Sequence, residues 1–402
     1  MNPELIDTLV VDNTTTIVFV ILDGIGGLPH PDTGRTELET AVTPNLDSLA
    51  RQSICGLLDP IGYGITPGSG PAHFALFGYD PVIHNVGRGL LTAAGIEFPM
   101  KEGDLYARVN FATADEKGMI TDRRAGRIDT ETCARLCRRL NEHLTGTAGA
   151  DVLFVPEKEH RALLVLRGDN LREEITDTDP ELTGKPPRVP RATVPEAEAT
   201  RHLIEEVTAR ARRVLAAELR ANTILLRGFA RFREYRTFEG RFGLKALAIA
   251  NYPMYRGIAR LLGMTVHPVT ASVRDQFLSL RENFRRYHFF FLHVKATDAR
   301  GEDGNFDGKV KAIEEIDSLM PEVVALKPDV LVITGDHSTP AVMASHSWHP
   351  VPVLLSSALC RPDAVAHFGE RDCITGGLGR LPMVYLMGLA LAHARRLSKF
   401  GA

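Results

Sequence analysis

Cysteine is scarce in this chain. The five residues in 402, Cys55, Cys133, Cys137, Cys360 and Cys373, are scattered, odd in number and form no CxxC pair. That fits a reducing cytoplasm better than a disulfide framework. Cys133 and Cys137 stand four apart on an expected helix, but no second pair lies near enough to complete a zinc site, so they read as core or surface thiols. An excess of one charge is also missing: 47 basic residues oppose 50 acidic ones, for a formal net of −3. Nothing in that balance calls for a nucleic-acid partner or a membrane surface. The apolar run Ile17 to Leu22 has a strand's length and falls far short of a membrane span, and no basic segment with an apolar core and cleavage site opens the chain. The expectation is a cytoplasmic protein. Internal repeats and low-complexity segments are absent as well.

What is present is an ordinary globular composition, with 44% hydrophobic and 24% charged residues, and enough length for two or three domains or one large core with an insertion. Apolar runs alternate with helical patterns at both ends. Ile17 to Leu22, Leu244 to Ala250, Tyr287 to Val294, Val330 to Thr334 and Val351 to Leu355 read as buried strands, which predicts an α/β core with a largely parallel sheet flanked by helices. Thr43 is expected to cap a helix that has Pro44 at its first position. A polar loop is expected from Lys295 to Gly308, then a long helix to about Leu326, and another helix over Met383 to Leu397. The middle, 85–242, has a different character: a strand over Arg161 to Arg167, an amphipathic helix over Pro195 to Arg220, and a strand over Thr223 to Leu226 ending in Arg227-Gly228. It reads as an inserted α/β domain, leaving 1–84 and 243–402 as the core, with hinges near 84–90 and 240–245.

Chemistry-bearing residues follow the strands. Asp23 closes the first run, Asp298 and Glu302 follow the run that ends at Val294, and Asp336-His337 follow the run that ends at Thr334. His346 lies shortly before the next strand. In open α/β sheets such strand ends meet at one edge, where ligands bind. Gly68-Ser69-Gly70-Pro71-Ala72-His73 enters a helix-compatible stretch, so Ser69 stands where backbone N–H groups and the helix dipole favour an anion. Alone, a glycine-flanked serine is most often a turn or an N-cap. Carboxylates and imidazoles converging on one serine suit Mn²⁺, Zn²⁺ or Mg²⁺ and phosphoryl transfer. Asp122-Arg123-Arg124-Ala125-Gly126-Arg127 holds three arginines in six residues, either a clamp for an anion or a solvated face.

The chain resembles the cofactor-independent phosphoglycerate mutases, in particular their shorter archaeal-type branch within the alkaline phosphatase superfamily. The resemblance rests on Leu22-Asp23-Gly24, Thr43-Pro44-Asn45-Leu46-Asp47, Pro67-Gly68-Ser69, Ala72-His73 and Phe77-Gly78-Tyr79-Asp80-Pro81. It continues through Asn110-Phe111-Ala112-Thr113, Asp122 to Arg127, Gly257 to Gly263, Lys295 to Asp298, Gly335-Asp336-His337-Ser338-Thr339-Pro340, and His346-Ser347 with Pro350 to Val353. It implies an alkaline-phosphatase-like core with two metal ions and an inserted substrate-binding cap. Ser69 is implied as the phosphorylated nucleophile. One cation would be held by Asp23, Ser69, Asp336 and His337, the other by Asp298, Glu302 and His346. Arg123 and Arg127, with Arg108, Asn110 and Lys295, would hold a small phosphorylated substrate. The implied reaction interconverts 3-phosphoglycerate and 2-phosphoglycerate through phosphoserine, without 2,3-bisphosphoglycerate.

Two departures stand out. Glu302 occupies a position where the family has histidine, which hardens the site and favours Mn²⁺ or Mg²⁺ over Zn²⁺, or else weakens it. Gly70-Pro71 replaces an acidic residue and a threonine. His349 reads as a supporting histidine rather than a ligand. Other readings are a metal-dependent phosphomonoesterase or other phosphotransferase of the same superfamily, and a non-catalytic relative that binds phosphorylated metabolites. Oligomeric state is left open by the sequence.

Overall fold

The computed structural model describes residues 3–84, 86–147 and 149–401. The chain forms two compact units, 1–85 with 235–402 and 86–234. Asn85, at the first expected crossing, lies outside the described residues. The second crossing falls at 234/235, earlier than 242/243, because Arg241 is buried in unit one against Asp7 (3.0 Å) and the carbonyl of Gly78 (3.1 Å), and Phe238 packs on Phe289.

Unit one begins with β1 (Ile17–Leu22), α1 (Glu37–Thr40), α2 (Pro44–Ala50), β2 (Ile54–Asp59) and α3 (Ser69–Leu76). Unit two runs through α4 (Arg88–Gly95), β3 (Leu105–Ala114), β4 (Ile120–Asp122), α5 (Thr130–Leu144), β5 (Asp151–Lys158), β6 (Arg161–Arg167), α6 (Glu198–Leu215) and β7 (Thr223–Arg231). Unit one resumes with α7 (Phe238–Phe242), β8 (Ala246–Ile249), α8 (Pro253–Leu261), β9 (Thr265–Val266), α9 (Val273–Asn283), β10 (Phe289–Val294), α10 (Ala296–Glu302), α11 (Phe306–Val324), β11 (Val330–Thr334), β12 (Val351–Ser357), α12 (Glu370–Cys373), β13 (Gly379–Pro382) and α13 (Leu386–His393).

The unit-one sheet has the order β13-β2-β12-β11-β1-β10-β8-β9. β11, β1, β10 and β8 are mutually parallel, and every residue of β1, β10 and β11 is buried. Helices cover both faces of such strands, which is why they are continuously apolar rather than alternating. β12 runs antiparallel to β11. Its connection, residues 335–350, contains no crossover helix, so the chain turns straight back.

Several local expectations change. Thr43 makes no side-chain cap; the buried carboxylate of Asp317 on α11 accepts the Leu46 N–H instead (2.8 Å). Residues 296–302 form α10 rather than loop, α6 stops at Leu215, and the last helix stops at His393.

Unit two is built on an antiparallel sheet, β4-β3-β6-β5 with β7 on β3. Period-two alternation sends Leu105, Ala107, Val109 and Phe111 of β3 into a core shared with α5 and α6. Arg108 and Asn110 therefore lie on the opposite face, and Asn110 pairs in register with Arg161 of β6. Among the described residues no helix is long and apolar enough to cross a membrane.

Candidate active site

Asp23 immediately follows β1, Lys295 immediately follows β10, and Asp336 follows β11 by two residues. Because these strands are adjacent and parallel, their carboxyl ends share one sheet edge. Here Asp23, Asp336 and His337 offer ligand atoms within 4.8 Å of one another, and Asp298, His337 and His346 do the same. The His337 Nε2 lies 3.4 Å from Asp23 Oδ1 and 3.1 Å from Asp336 Oδ2. Its ring stacks on His346, centroids 3.7 Å apart, and His346 Nε2 is 3.6 Å from Asp298 Oδ1. The loop after β11 thus bridges the two groups.

Ser69 is the first residue of α3, and its Oγ is 3.2 Å from His337 Nε2. The first hydrogen bond within the helix runs from the Ala72 N–H to the Gly68 carbonyl. That leaves the N–H groups of Ser69 and Gly70 directed out of the helix end, while Pro71 brings none. Glu302 closes α10 four residues after Asp298, so the two share a helix face; its Oε1 is 3.7 Å from His346 Nε2, with the side chain about half exposed at 53%.

The electrostatics are those of acid withdrawn from water. Asp23, Asp298, Asp336 and His337 have no exposed surface. Burial raises the Asp336 carboxyl well above the usual range, and the charges of Asp23 and Asp298 push the same way. Burial opposes ionisation of Asp23 too, but the Lys295 ammonium at 3.1 Å and His293 hold it well below the ordinary value. His337 is kept neutral by burial, against the pull of Asp23. Lys295 also bonds Asp298, and burial is outweighed by these carboxylates, so its ammonium is held more firmly charged. Burial, then Asp298, raises Glu302.

Asp23 Oδ1 and Asp336 Oδ2 are buried without a hydrogen-bond partner. Crowded carboxylate oxygens left unsatisfied beside imidazole nitrogens form a donor set that fits divalent cations.

Sequence reasoning missed a layer beneath these ligands. Tyr255 on α8 donates to Asp23 Oδ2 at 2.5 Å and packs at a tilt against His293, centroids 3.9 Å apart. His293 Nε2 is 3.3 Å from the same oxygen. His73 Nδ1 is 2.8 Å from the Ser69 carbonyl and 3.3 Å from Asp336 Oδ2; burial, then His293, pushes its ring down to about 3. Thr339 donates to Asp298 Oδ1 at 2.6 Å. The available signal was a lone histidine inside Phe289–Val294 and a lone tyrosine opening an otherwise ordinary helix.

In unit two, Asp122 accepts the N–H groups of Arg124 (2.7 Å) and Gly126 (2.6 Å). This Asx turn carries Ala125, Gly126 and Arg127 through positive φ and presents Arg124 and Arg127 to water. Arg124 and Arg127 act with Arg161 and Arg108 on His160, whose ring is pushed down to about 4, first by burial and then by those four charges. Arg123 turns elsewhere and forms a two-pronged pair with buried Asp179 (2.9 and 2.8 Å). The expected arginines therefore divide: Arg108 and Arg127 share one basic cluster with Asn110 beside it, whereas Arg123 braces the 177–181 loop. His349 Nδ1 meets Ser347 Oγ at 3.1 Å.

Residues 50–219 match the family model of 2,3-bisphosphoglycerate-independent phosphoglycerate mutase. A probable 2,3-bisphosphoglycerate-independent phosphoglycerate mutase of Thermus thermophilus is 49% identical over 389 residues, covering 96% of each chain. One from Aquifex aeolicus is 44% identical, covering 99% of this chain and all of its own. Among solved structures, a protein from Pyrococcus horikoshii superposes with a TM-score of 0.82 at 28% identity, over 97% of this chain and all of that one. A cofactor-independent phosphoglycerate mutase from Thermoplasma acidophilum gives 0.69 at 29%, over 94% of this chain and all of its own.

Proposed function

The chain belongs to the 2,3-bisphosphoglycerate-independent phosphoglycerate mutase family, and from that premise we propose that it interconverts 3-phosphoglycerate and 2-phosphoglycerate through a phosphoserine at Ser69. The observation that carries this reading is the Ser69 hydroxyl at the start of α3, 3.2 Å from His337, within the cluster of Asp23, Asp336 and His337. Asp23, Ser69, Asp336 and His337 would hold one divalent cation, and Asp298, Glu302 and His346 the other. When bound, such cations lower the serine's pKa and neutralise charge on the transferring phosphoryl group. The carboxylate of Glu302 favours Mn²⁺ or Mg²⁺ over Zn²⁺.

The remaining work falls to the chain itself. Ser69 Oγ forms its bond to phosphorus as the bond to the glycerate oxygen breaks, and the Ser69 and Gly70 N–H groups face the phosphoryl oxygens. The freed glycerate stays bound, turns, and takes the phosphoryl group back on its other hydroxyl. Arg108, Arg127 and Asn110, with Arg124 and Arg161, hold the anionic substrate in unit two, which serves as the substrate domain to the metal-binding unit one. Arg123 fixes the rim of that cluster through Asp179. Lys295 holds Asp23 and Asp298 and adds positive charge where phosphate arrives. No 2,3-bisphosphoglycerate is needed, because the serine stores the phosphoryl group.

An enolase-coupled assay on 3-phosphoglycerate, with Mn²⁺ restored to metal-stripped protein and no 2,3-bisphosphoglycerate, tests this. Turnover is expected, and its loss in Ser69→Ala. Free phosphate released from several monoesters, with no 2-phosphoglycerate formed, would replace the mutase by a phosphomonoesterase.

A further inference from the structure

Lys309 on α11 and Glu37 on α1 have no exposed surface. Lys309 Nζ donates to the carbonyls of Gly26 (3.0 Å) and Thr339 (2.9 Å) and lies 3.8 Å from Glu37 Oε1. The same Glu37 oxygen accepts the Ala341 N–H at 2.6 Å. Gly26 belongs to the loop that leaves β1 through Asp23, and Thr339 to the loop that leaves β11 through Asp336 and His337. The Thr339 N–H bonds the carbonyls of Gly24 and Gly26, and its hydroxyl bonds Asp298. One buried ammonium therefore ties together the two loops that carry Asp23, Asp336 and His337. The seam has no slack: a methyl group on Gly26 would lie 1.9 Å from Ser338 Oγ, and one on Gly301 would lie 2.3 Å from the Thr339 carbonyl.

A buried ion pair is a poor device for stability, since the desolvation of both ions offsets their attraction and apolar side chains of similar volume often serve as well. We propose that Lys309 and Glu37 are positioning residues for the carboxylate–histidine cluster. They fix the separation of its two loops and through it the affinity for divalent cations. The inference rests on the two-cation reading given above.

The experiment is calorimetric titration of Mn²⁺ into the metal-stripped full chain, with thermal unfolding of the same samples. It compares wild type, Lys309→Met, Glu37→Gln and the double variant. Each single change leaves a buried partner uncompensated and lowers the midpoint; the double change removes both charges and regains most of it. Mn²⁺ affinity is expected to stay about tenfold or more weaker in the double variant, the size of effect that residues supporting metal ligands produce. Should Lys309→Met fail to fold, Glu37→Gln, which retains an acceptor for the Ala341 N–H, carries the same expectation. Wild-type affinity in the folded variants overturns the inference while leaving the two-cation reading intact. Wild-type protein that binds no Mn²⁺ overturns both.

Discussion

Asp23, Asp298 and Asp336 in unit one have no exposed surface, whereas Arg124 and Arg127 in unit two lie open to water. The acids sit at the ends of parallel strands buried on both faces, and every one of them is met by a donor: Tyr255 and Lys295 on Asp23, Thr339 on Asp298, the Gly24 N–H on Asp336. Arg108 and Arg161 stand on the sheet face opposite the unit-two core, and Arg124 and Arg127 on a turn. Carboxylates crowded out of water repel one another and need fixed partners, so their geometry is set in advance. Guanidinium groups keep their charge at any working pH without burial and can await an anion in solvent. A preorganised acidic cluster is suited to stabilising a reaction's charge, and an open basic one to recognising the molecule that brings it.

The widest way to break that contrast is Asp336→Asn. If the acidic cluster carries the chemistry, turnover falls by about 10³-fold or more and Mn²⁺ stoichiometry drops; near-normal turnover would reduce the cluster to scaffolding. Arg108→Ala should act on recognition instead. It is expected to raise KM for 3-phosphoglycerate by about 10- to 100-fold with kcat much less affected, and a fall confined to kcat would place Arg108 with the chemistry. Arg123→Met sharpens the comparison inside unit two. Its partner Asp179 is wholly buried, so the expected loss is in stability, about 1–3 kcal/mol by urea unfolding, with little change in KM. A large KM effect at unchanged stability would return Arg123 to the substrate.

Unit one was the more legible half, and the reason is physical. A strand buried on both faces is apolar throughout, so the first polar residue after Leu22 or Val294 marks the sheet edge where ligands gather. What stayed hidden were single polar groups placed by tertiary contacts. His293 interrupts an apolar strand, and nothing local says that Tyr255 lies against it or that His73 faces Asp336. Residues 296–302 read as loop because they are polar and include Gly301. That glycine is required by the 2.3 Å approach of a would-be Cβ to the Thr339 carbonyl, and packing overrides its poor helix propensity. In unit two, β7 continues past Arg227-Gly228 because Gly228 takes φ +61° beside an irregularity in the β3 register. The basic residues of this half declared their charge but not their partner, and only the structure separates Arg123 from Arg127.

The finest test concerns the buried histidine beside the basic cluster. His160 is buried, with its pKa pushed down to about 4 from an ordinary value near 6.5, by burial first and then by Arg161, Arg108, Arg124 and Arg127. The folded protein keeps this ring neutral while the unfolded chain takes up a proton below about pH 6.5, so the unfolded state binds more protons and stability falls as pH drops from 6.5 towards 4. His160→Gln removes that linkage. Relative to wild type it should gain on the order of 1–2 kcal/mol on going from pH 7.5 to pH 5, read as the difference between urea midpoints at the two values. A difference that does not change with pH would mean that the native ring accepts its proton freely. Neither burial nor the four arginine charges would then be holding the ring neutral.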